Sequence, residues 1–237
     1  MAAPRSISRS ATEIALNVRE VRERIARACE RVGRDVASVR LIGVSKTFGP
    51  DAIRSAIEAG VLDLGENRVQ ELREKIGDVG RDARWHMIGH LQSNKTKDAV
   101  QLFDVVQSVD RFSLAEKLDK EAGEAGKTVE VLVQVNIGAE PQKSGVELVD
   151  VRNLVRDVAA LGNLSLRGLM TIPPIDDELR TRSHFRALRV LRDAIEAELP
   201  AVRLPQLSMG MTDDFEIAIE EGATMVRVGR AIFGERG

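Results

Sequence analysis

With 35 Lys and Arg against 37 Asp and Glu, the 237-residue chain is close to electroneutral, which removes the electrostatic argument for nucleic acid or an anionic membrane as partner. Its 43% hydrophobic and 30% charged residues suit a folded chain with a large core and a mixed surface, and exclude disorder as the default. The lone cysteine, Cys29, excludes a disulfide framework and favours a reducing compartment.

The first ten residues, MAAPRSISRS, contain no apolar run of signal-peptide length, and no later segment is long enough to span a bilayer. Residues 1–10 are therefore read as a flexible tail and the protein as cytoplasmic. From residue 11 to about 31, Ile14, Val18, Val21, Ile25 and Cys29 recur at spacings of three and four, the stripe of an amphipathic helix with Cys29 in the core. Gly33 ends it. VRLIGVSK follows as a strand buried on both faces, and a helix opens at Pro50.

The alternation then continues. VLDLG, RWHMIG and FDVVQSV read as strands, separated by helices over Asn67 to Ile76 and Asn94 to Val100. A helix over Phe112 to Ala122 leads to the strand TVEVLVQVN and to a helix with the stripe Leu148, Val151, Val155 and Val158. LRGLMT precedes a long helix carrying Phe185, Leu188, Leu191, Ile195 and Leu199, which stops before Pro200. RLPQLSM, the helix DDFEIAIEEG and TMVRVG complete the series.

Eight strands separated by helices, with no linker between them, suit either a doubly wound sheet or a (β/α)8 barrel. Length and strand count favour one barrel over residues 11–237, and VSKTFGP lacks the glycine-rich fingerprint of a dinucleotide-binding sheet. The first helix is then an addition able to help cover the outer ring.

In such a barrel, chemistry gathers at the carboxyl ends of the strands. Lys46 ends an apolar strand and reads either as a snorkelling surface cation or as a partly desolvated amine nucleophile. Ser208, Gly210 and Thr212 lie after strand seven, where Asp213 and Glu216 have the spacing of a capping box; Gly229 and Arg230 lie after strand eight. That combination is where many barrels hold a phosphate. Met170, Met209, Met211 and Met225 are read as core filling, and the arginine-rich stretch LRTRSHFRALRVLRD as a solvated helix face.

GVSKTFGPDAI, LGENRVQEL, WHMIGHLQSNK, VLVQVNIG with EPQKSGV, GLMTIPP, SMGMTDDFEIAI and VRVGRAIFG together resemble the YggS/PROSC family of pyridoxal phosphate homeostasis proteins, from about residue 12 to 234. The resemblance implies a fold-type III barrel like the amino-terminal domain of alanine racemase, and pyridoxal 5′-phosphate as cofactor, bound as a covalent aldimine on Lys46. It places Asn67 beside the ring, Arg227 at the pyridine nitrogen, and Ser208, Thr212, Gly229 and Arg230 around the phosphate. Two positions depart from the family's pattern: Thr212 stands where serine is frequent, and Arg230 where a small hydroxyl residue is common.

The family's role is intracellular pyridoxal phosphate homeostasis, as a monomeric carrier or buffer without turnover and with cofactor-requiring apoenzymes as possible recipients. The competing reading is an amino-acid racemase or related enzyme. Racemases with this barrel use a tyrosine from a second domain as their second base, and this chain contains no tyrosine. His86, His90 and Glu66 belong to the same end of the barrel and are the conceivable substitutes, against the plainer reading that His86 and Glu66 are locally hydrogen-bonded. The three histidines are too scattered to suggest a metal site. Lys143, in EPQKSG, is either a surface lysine or a second amine for passing the vitamin on.

Overall fold

Eight short strands alternate with helices and close on themselves. In the computed structural model, which describes residues 10–140 and 144–235, the strands are β1 (Arg40–Val44), β2 (Asp63–Glu66), β3 (Arg84–Met87), β4 (Val105–Val109), β5 (Val129–Gln134), β6 (Leu164–Met170), β7 (Gln206–Ser208) and β8 (Met225–Val228). Every neighbouring pair is parallel, and β8 returns to β1 with Ile42 opposite Arg227, so the sheet is the closed (β/α)8 barrel and not the open alternative. The helices are α1 (Ala11–Arg31), α2 (Pro50–Glu58), α3 (Val69–Val79), α4 (Thr96–Leu102), α5 (Phe112–Glu124), α6 (Val151–Ala159), α7 (Glu178–Glu198), α8 (Phe215–Glu220) and α9 (Arg230–Phe233). Among the described residues no helix is long and apolar enough to cross a membrane.

Most of the apolar core lies between strands and helices, where Trp85, Phe185, Phe215, Ile53, Leu64 and Leu72 are fully buried. Inside the barrel a separate trio, Val105, Leu132 and Met170, fills the space. Polar side chains share that interior with them and with Met225, which becomes important at the site.

Helix α1 begins at a capping box: Ser10 Oγ accepts the Glu13 amide at 3.3 Å, and the Glu13 carboxylate accepts the Ser10 amide at 2.7 Å. The tail assigned to residues 1–10 thus loses Ser10 to the helix, and its other residues lie outside the described ones. Helix α1 buries Ile14, Val18, Val21, Ile25 and Cys29 against α2, α8 and α9. With α8 only six residues long and α9 four, α1 supplies the apolar cover for the seam between β8 and β1.

Four local expectations are corrected. Leu148 is outside α6 and partly exposed, because the chain after β5 first pairs back on itself, with Val146 donating to the Gln134 carbonyl at 2.8 Å. Helix α3 starts at Val69, so Asn67 is in the loop and not the helix. The Asp213 and Glu216 capping box does not form: Asp213 pairs with Arg230, Asp214 accepts from the Met211 amide at 2.5 Å, and Glu216 faces Arg24. The arginines of α7 are not simply solvated, since Arg182, Arg186 and Arg189 converge on Glu221 at the end of α8. Burial alone would push the Glu221 carboxyl up, but Arg186 and Arg182 override it and hold that group below the ordinary carboxylate range.

Candidate functional site

At the carboxyl ends of the strands lies a cavity of about 660 Å³, a volume suited to a small-molecule ligand. Its walls are apolar at Val44, Phe48, Ile88, Ile172 and Met211, and polar groups reach it from several strands. Met211 belongs to this wall, partly exposed, and not to the core filling assigned to it from its place beside a strand.

Lys46 reaches the cavity from the turn after β1. That turn is tight: Phe48 donates to the Ser45 carbonyl at 3.1 Å, and Thr47 adopts φ 70°, left-handed backbone that a β-branched residue rarely takes. The Thr47 amide is held by Glu71 Oε2 at 3.1 Å. Gly49 and Pro50 then open α2, Pro50 supplying the fixed φ of a first helical residue. Phe48 stacks on Phe233 of α9 at 5.1 Å, so the short last helix supports the loop that carries Lys46.

Behind the cavity wall a buried polar group ties the ends of β1 and β2 together. Ser45 Oγ donates to Glu66 Oε1 at 2.8 Å, and Lys75 Nζ donates to the same oxygen at 2.9 Å and to the Ser45 carbonyl at 3.1 Å. Burial pushes the Glu66 carboxyl up, with Lys75 and Ser45 opposing. Glu66 is thereby a local partner of the strand ends and is not on the cavity surface.

Asn67 follows Glu66 and lines the cavity. Its backbone passes so close to Gly89 that a Cβ there would sit 2.3 Å from the Asn67 carbonyl oxygen, which is why glycine occupies that position. Thr212, Gly229 and Arg230 line the same cavity, with Gly229 packed beside Val44 of β1. Gly210, at φ +92° and with Ala218 Cβ 2.5 Å from where its own Cβ would be, allows the chain to turn sharply from β7 into α8 and present Thr212. Arg230 lines the cavity while its guanidinium pairs with Asp213 and, at 3.3 Å, with Glu235. Its charge is thus shared with the rim.

Arg227 is the buried cation of the site, 3% exposed and reaching the cavity from β8. Nη1 donates to Ser208 Oγ at 2.7 Å and Nη2 to the Thr171 carbonyl at 2.8 Å. Burial draws the guanidinium down to about 10, with Asp214 opposing, so it remains charged at neutral pH.

Of the residues singled out in the sequence, Lys46, Asn67, Thr212, Arg227, Gly229 and Arg230 meet at this cavity. Ser208 is placed differently. It is fully buried and absent from the lining, with its hydroxyl engaged by Arg227 and donating to Gln107 Oε1 at 2.6 Å, so its side chain supports Arg227 from behind the cavity surface. His86 is buried inside the barrel with both ring nitrogens hydrogen-bonded, whereas His90 lines the cavity at its exposed rim. Lys143 lies outside the described residues. Sequence reasoning missed Gln107 and Phe48, and named Thr171 only as a strand-end position; the signal for Gln107 was a large polar residue at an inward position of β4.

Comparison with known proteins gives the family and the fold. The family model for the alanine racemase N-terminal domain matches residues 16–237. A pyridoxal phosphate homeostasis protein of Aquifex aeolicus is 45% identical over 218 residues, covering 91% of this chain and 95% of its own. One from Escherichia coli K12 is 40% identical over 231 residues, covering 94% and 97%. Among solved structures, PipY of Synechococcus elongatus with pyridoxal phosphate bound superposes with a TM-score of 0.83 at 38% identity, covering 93% of this chain and 100% of that one. Alanine racemase of Corynebacterium glutamicum shares the fold alone, at a TM-score of 0.70 and 15% identity, with 94% of this chain matching 60% of that one.

Proposed function

The chain belongs to the family of pyridoxal phosphate homeostasis proteins, and we propose from that membership and from the chemistry of its cavity that it binds pyridoxal 5′-phosphate through Lys46 and buffers it without turnover. The observation that carries the reading is that an amine, Lys46, and a buried cation, Arg227, line one cavity together with Thr212 and Gly229. When bound, the vitamin supplies an electrophilic aldehyde and an electron-withdrawing ring. Condensation at Lys46 Nζ forms one C=N bond and releases one water, which masks the aldehyde and is reversible.

The chain's own residues divide the remaining tasks. Asn67 would lie beside the ring, and the apolar walls at Val44, Ile88 and Met211 would exclude water from its faces; all four line the cavity. Thr212 and Gly229 would hold the phosphate, with Arg230 adding charge from the rim. Arg227 would serve the pyridine nitrogen. A guanidinium has donors and no acceptor, so it favours the unprotonated ring nitrogen and weakens the ring as an electron sink.

Absence of turnover is supported by what surrounds Lys46. The sequence has no tyrosine, Glu66 is engaged behind the wall by Ser45 and Lys75, and His86 is engaged inside the barrel. A cytoplasmic monomer handing the vitamin to apoenzymes fits this reading. The one observation favouring an enzyme is His90 on the cavity rim, and it has a direct check. Holoprotein incubated with single L-amino acids in deuterated water should give neither D-enantiomer nor α-deuterium; either product would establish catalysis. Titration with pyridoxal phosphate should produce an imine absorbance band that borohydride removes and that Lys46→Ala abolishes. Persistence of the band in Lys46→Ala would refute the assignment.

A further inference from the structure

Inside the barrel, four side chains from four strands link Arg227 to the opposite end. Arg227 Nη1 donates to Ser208 Oγ at 2.7 Å, Ser208 Oγ donates to Gln107 Oε1 at 2.6 Å, Gln107 Nε2 meets His86 Nδ1 at 2.9 Å, and His86 Nε2 meets Asp63 Oδ1 at 2.8 Å. Ser208, Gln107 and His86 are fully buried. Asp63, at the first residue of β2, also faces Arg40 Nη1 at 3.5 Å.

The end groups fix the direction of every hydrogen in this chain. A guanidinium only donates, so Ser208 must receive from Arg227 and pass its own hydrogen to Gln107. The Gln107 oxygen is then occupied and its amide nitrogen points to His86, a placement matched by the contact of the same nitrogen with Met225 Sδ at 3.8 Å. His86 must receive at Nδ1 and carry its hydrogen on Nε2, which a carboxylate accepts. All four bonds therefore point one way, from a cation at the mouth to an anion at the base, and aligned bonds in a low-dielectric interior reinforce one another.

We propose that Gln107 is a positioning residue for the ligand site: through Ser208 it locks the Arg227 guanidinium in one orientation, with His86 held as the neutral Nε2–H tautomer. Arg227's other hydrogen bond is to the Thr171 carbonyl, and a single hydrogen bond does not fix the orientation of a planar guanidinium. Gln107 and His86 do not line the cavity, so they act on a ligand through Arg227 alone. The consequence for ligand binding rests on the pyridoxal phosphate reading above; the consequence for Arg227 does not.

Nitrogen-15 NMR of the full chain without added vitamin separates the two. In the wild type, Arg227 should show distinct, slowly exchanging Nη1 and Nη2 signals, and His86 the signature of an unprotonated Nδ1. In Gln107→Leu the Arg227 signals should merge, and affinity for pyridoxal phosphate should fall about tenfold, the effect of one lost hydrogen bond, with a weaker visible circular dichroism band. Gln107→Glu keeps the acceptor for Ser208 but has no N–H for His86, so it should protonate His86 Nδ1 while restoring the Arg227 signals and most of the affinity. Should Gln107→Leu fail to fold, Ser208→Ala cuts the same link and should give the same merged signals. Distinct Arg227 signals in both of these variants, or a protonated Nδ1 in the wild type, would overturn the proposal. Wild-type protein that shows the expected Arg227 and His86 signals but binds no pyridoxal phosphate would sink the ligand reading and leave the relay standing.

Discussion

The two layers on either side of the strands follow opposite rules. Between strands and helices the packing is apolar, filled by Trp85, Phe185, Leu64 and Leu72, with the Ser45, Glu66 and Lys75 group an inset at the end nearest the site. Inside the barrel the apolar trio of Val105, Leu132 and Met170 shares the space with Arg227, Ser208, Gln107 and His86. Burying polar groups costs free energy unless each is hydrogen-bonded, and apolar packing holds a fold without fixing the direction of any hydrogen. The outer layer thus stabilises the barrel, and the inner one orients a cation at its mouth.

The largest effect is expected in the outer layer. Trp85→Ala should lower stability by about 3–5 kcal/mol in urea unfolding, the usual range for removing a buried large aromatic, with ligand affinity per folded molecule little changed. A substantial affinity loss in the folded fraction would show that the two layers are not separable. Next is the edge of the shell, where Glu221→Gln removes the charge that gathers Arg182, Arg186 and Arg189. It should cost about 2 kcal/mol, and added salt should shrink the difference from wild type.

The inner layer has a pH signature. Burial pushes the His86 imidazole below its ordinary value of 6.5, outweighing the hydrogen bond and charge of Asp63. As the pH falls through 6.5 the unfolded chain takes up a proton that the folded protein refuses, so the unfolded state binds more protons and stability drops on acidification. For one proton the slope approaches about 1.4 kcal/mol per pH unit. The difference in unfolding free energy between wild type and His86→Gln should therefore change with pH below 6.5 and stay flat above it; a difference flat throughout would mean that His86 takes up its proton as readily in the fold as in the unfolded chain.

The smallest expected effect sharpens the comparison at the mouth itself. Thr47→Gly should raise stability by about 1 kcal/mol, because left-handed backbone costs a side-chain-bearing residue about 1–2 kcal/mol and glycine returns only part of that as chain entropy. A melting temperature that falls would place the strain elsewhere.

Much of the fold was readable from local pattern. Helix α1 is a stripe with period 3.6, and strands such as RLIGV and VEVLVQ are apolar runs between turn residues. Lys46 was readable too, because it stands one residue beyond such a run. The polar interior was not: His86 and Gln107 are 21 residues apart, and Gln107 and Ser208 are 101 apart, so barrel closure and not spacing brings them together. The clue was present in RWHM, VVQSV, QLS and MVRV, where a polar residue occupies the inward face of each strand. Asp213 and Glu216 misled for the converse reason: their spacing suits a cap, but the charges of Arg230 and Arg24 lie close enough to take both side chains.

The central claim is that Lys46 and the wall formed by Thr212, Gly229 and Arg227 hold one phosphorylated aldehyde between them. The most direct measurement is peptide mapping by mass spectrometry after pyridoxal phosphate is added and the complex is reduced with borohydride. The account predicts one pyridoxyl phosphate adduct per chain, on the peptide containing Lys46. An adduct on another lysine with Lys46 unmodified would contradict it.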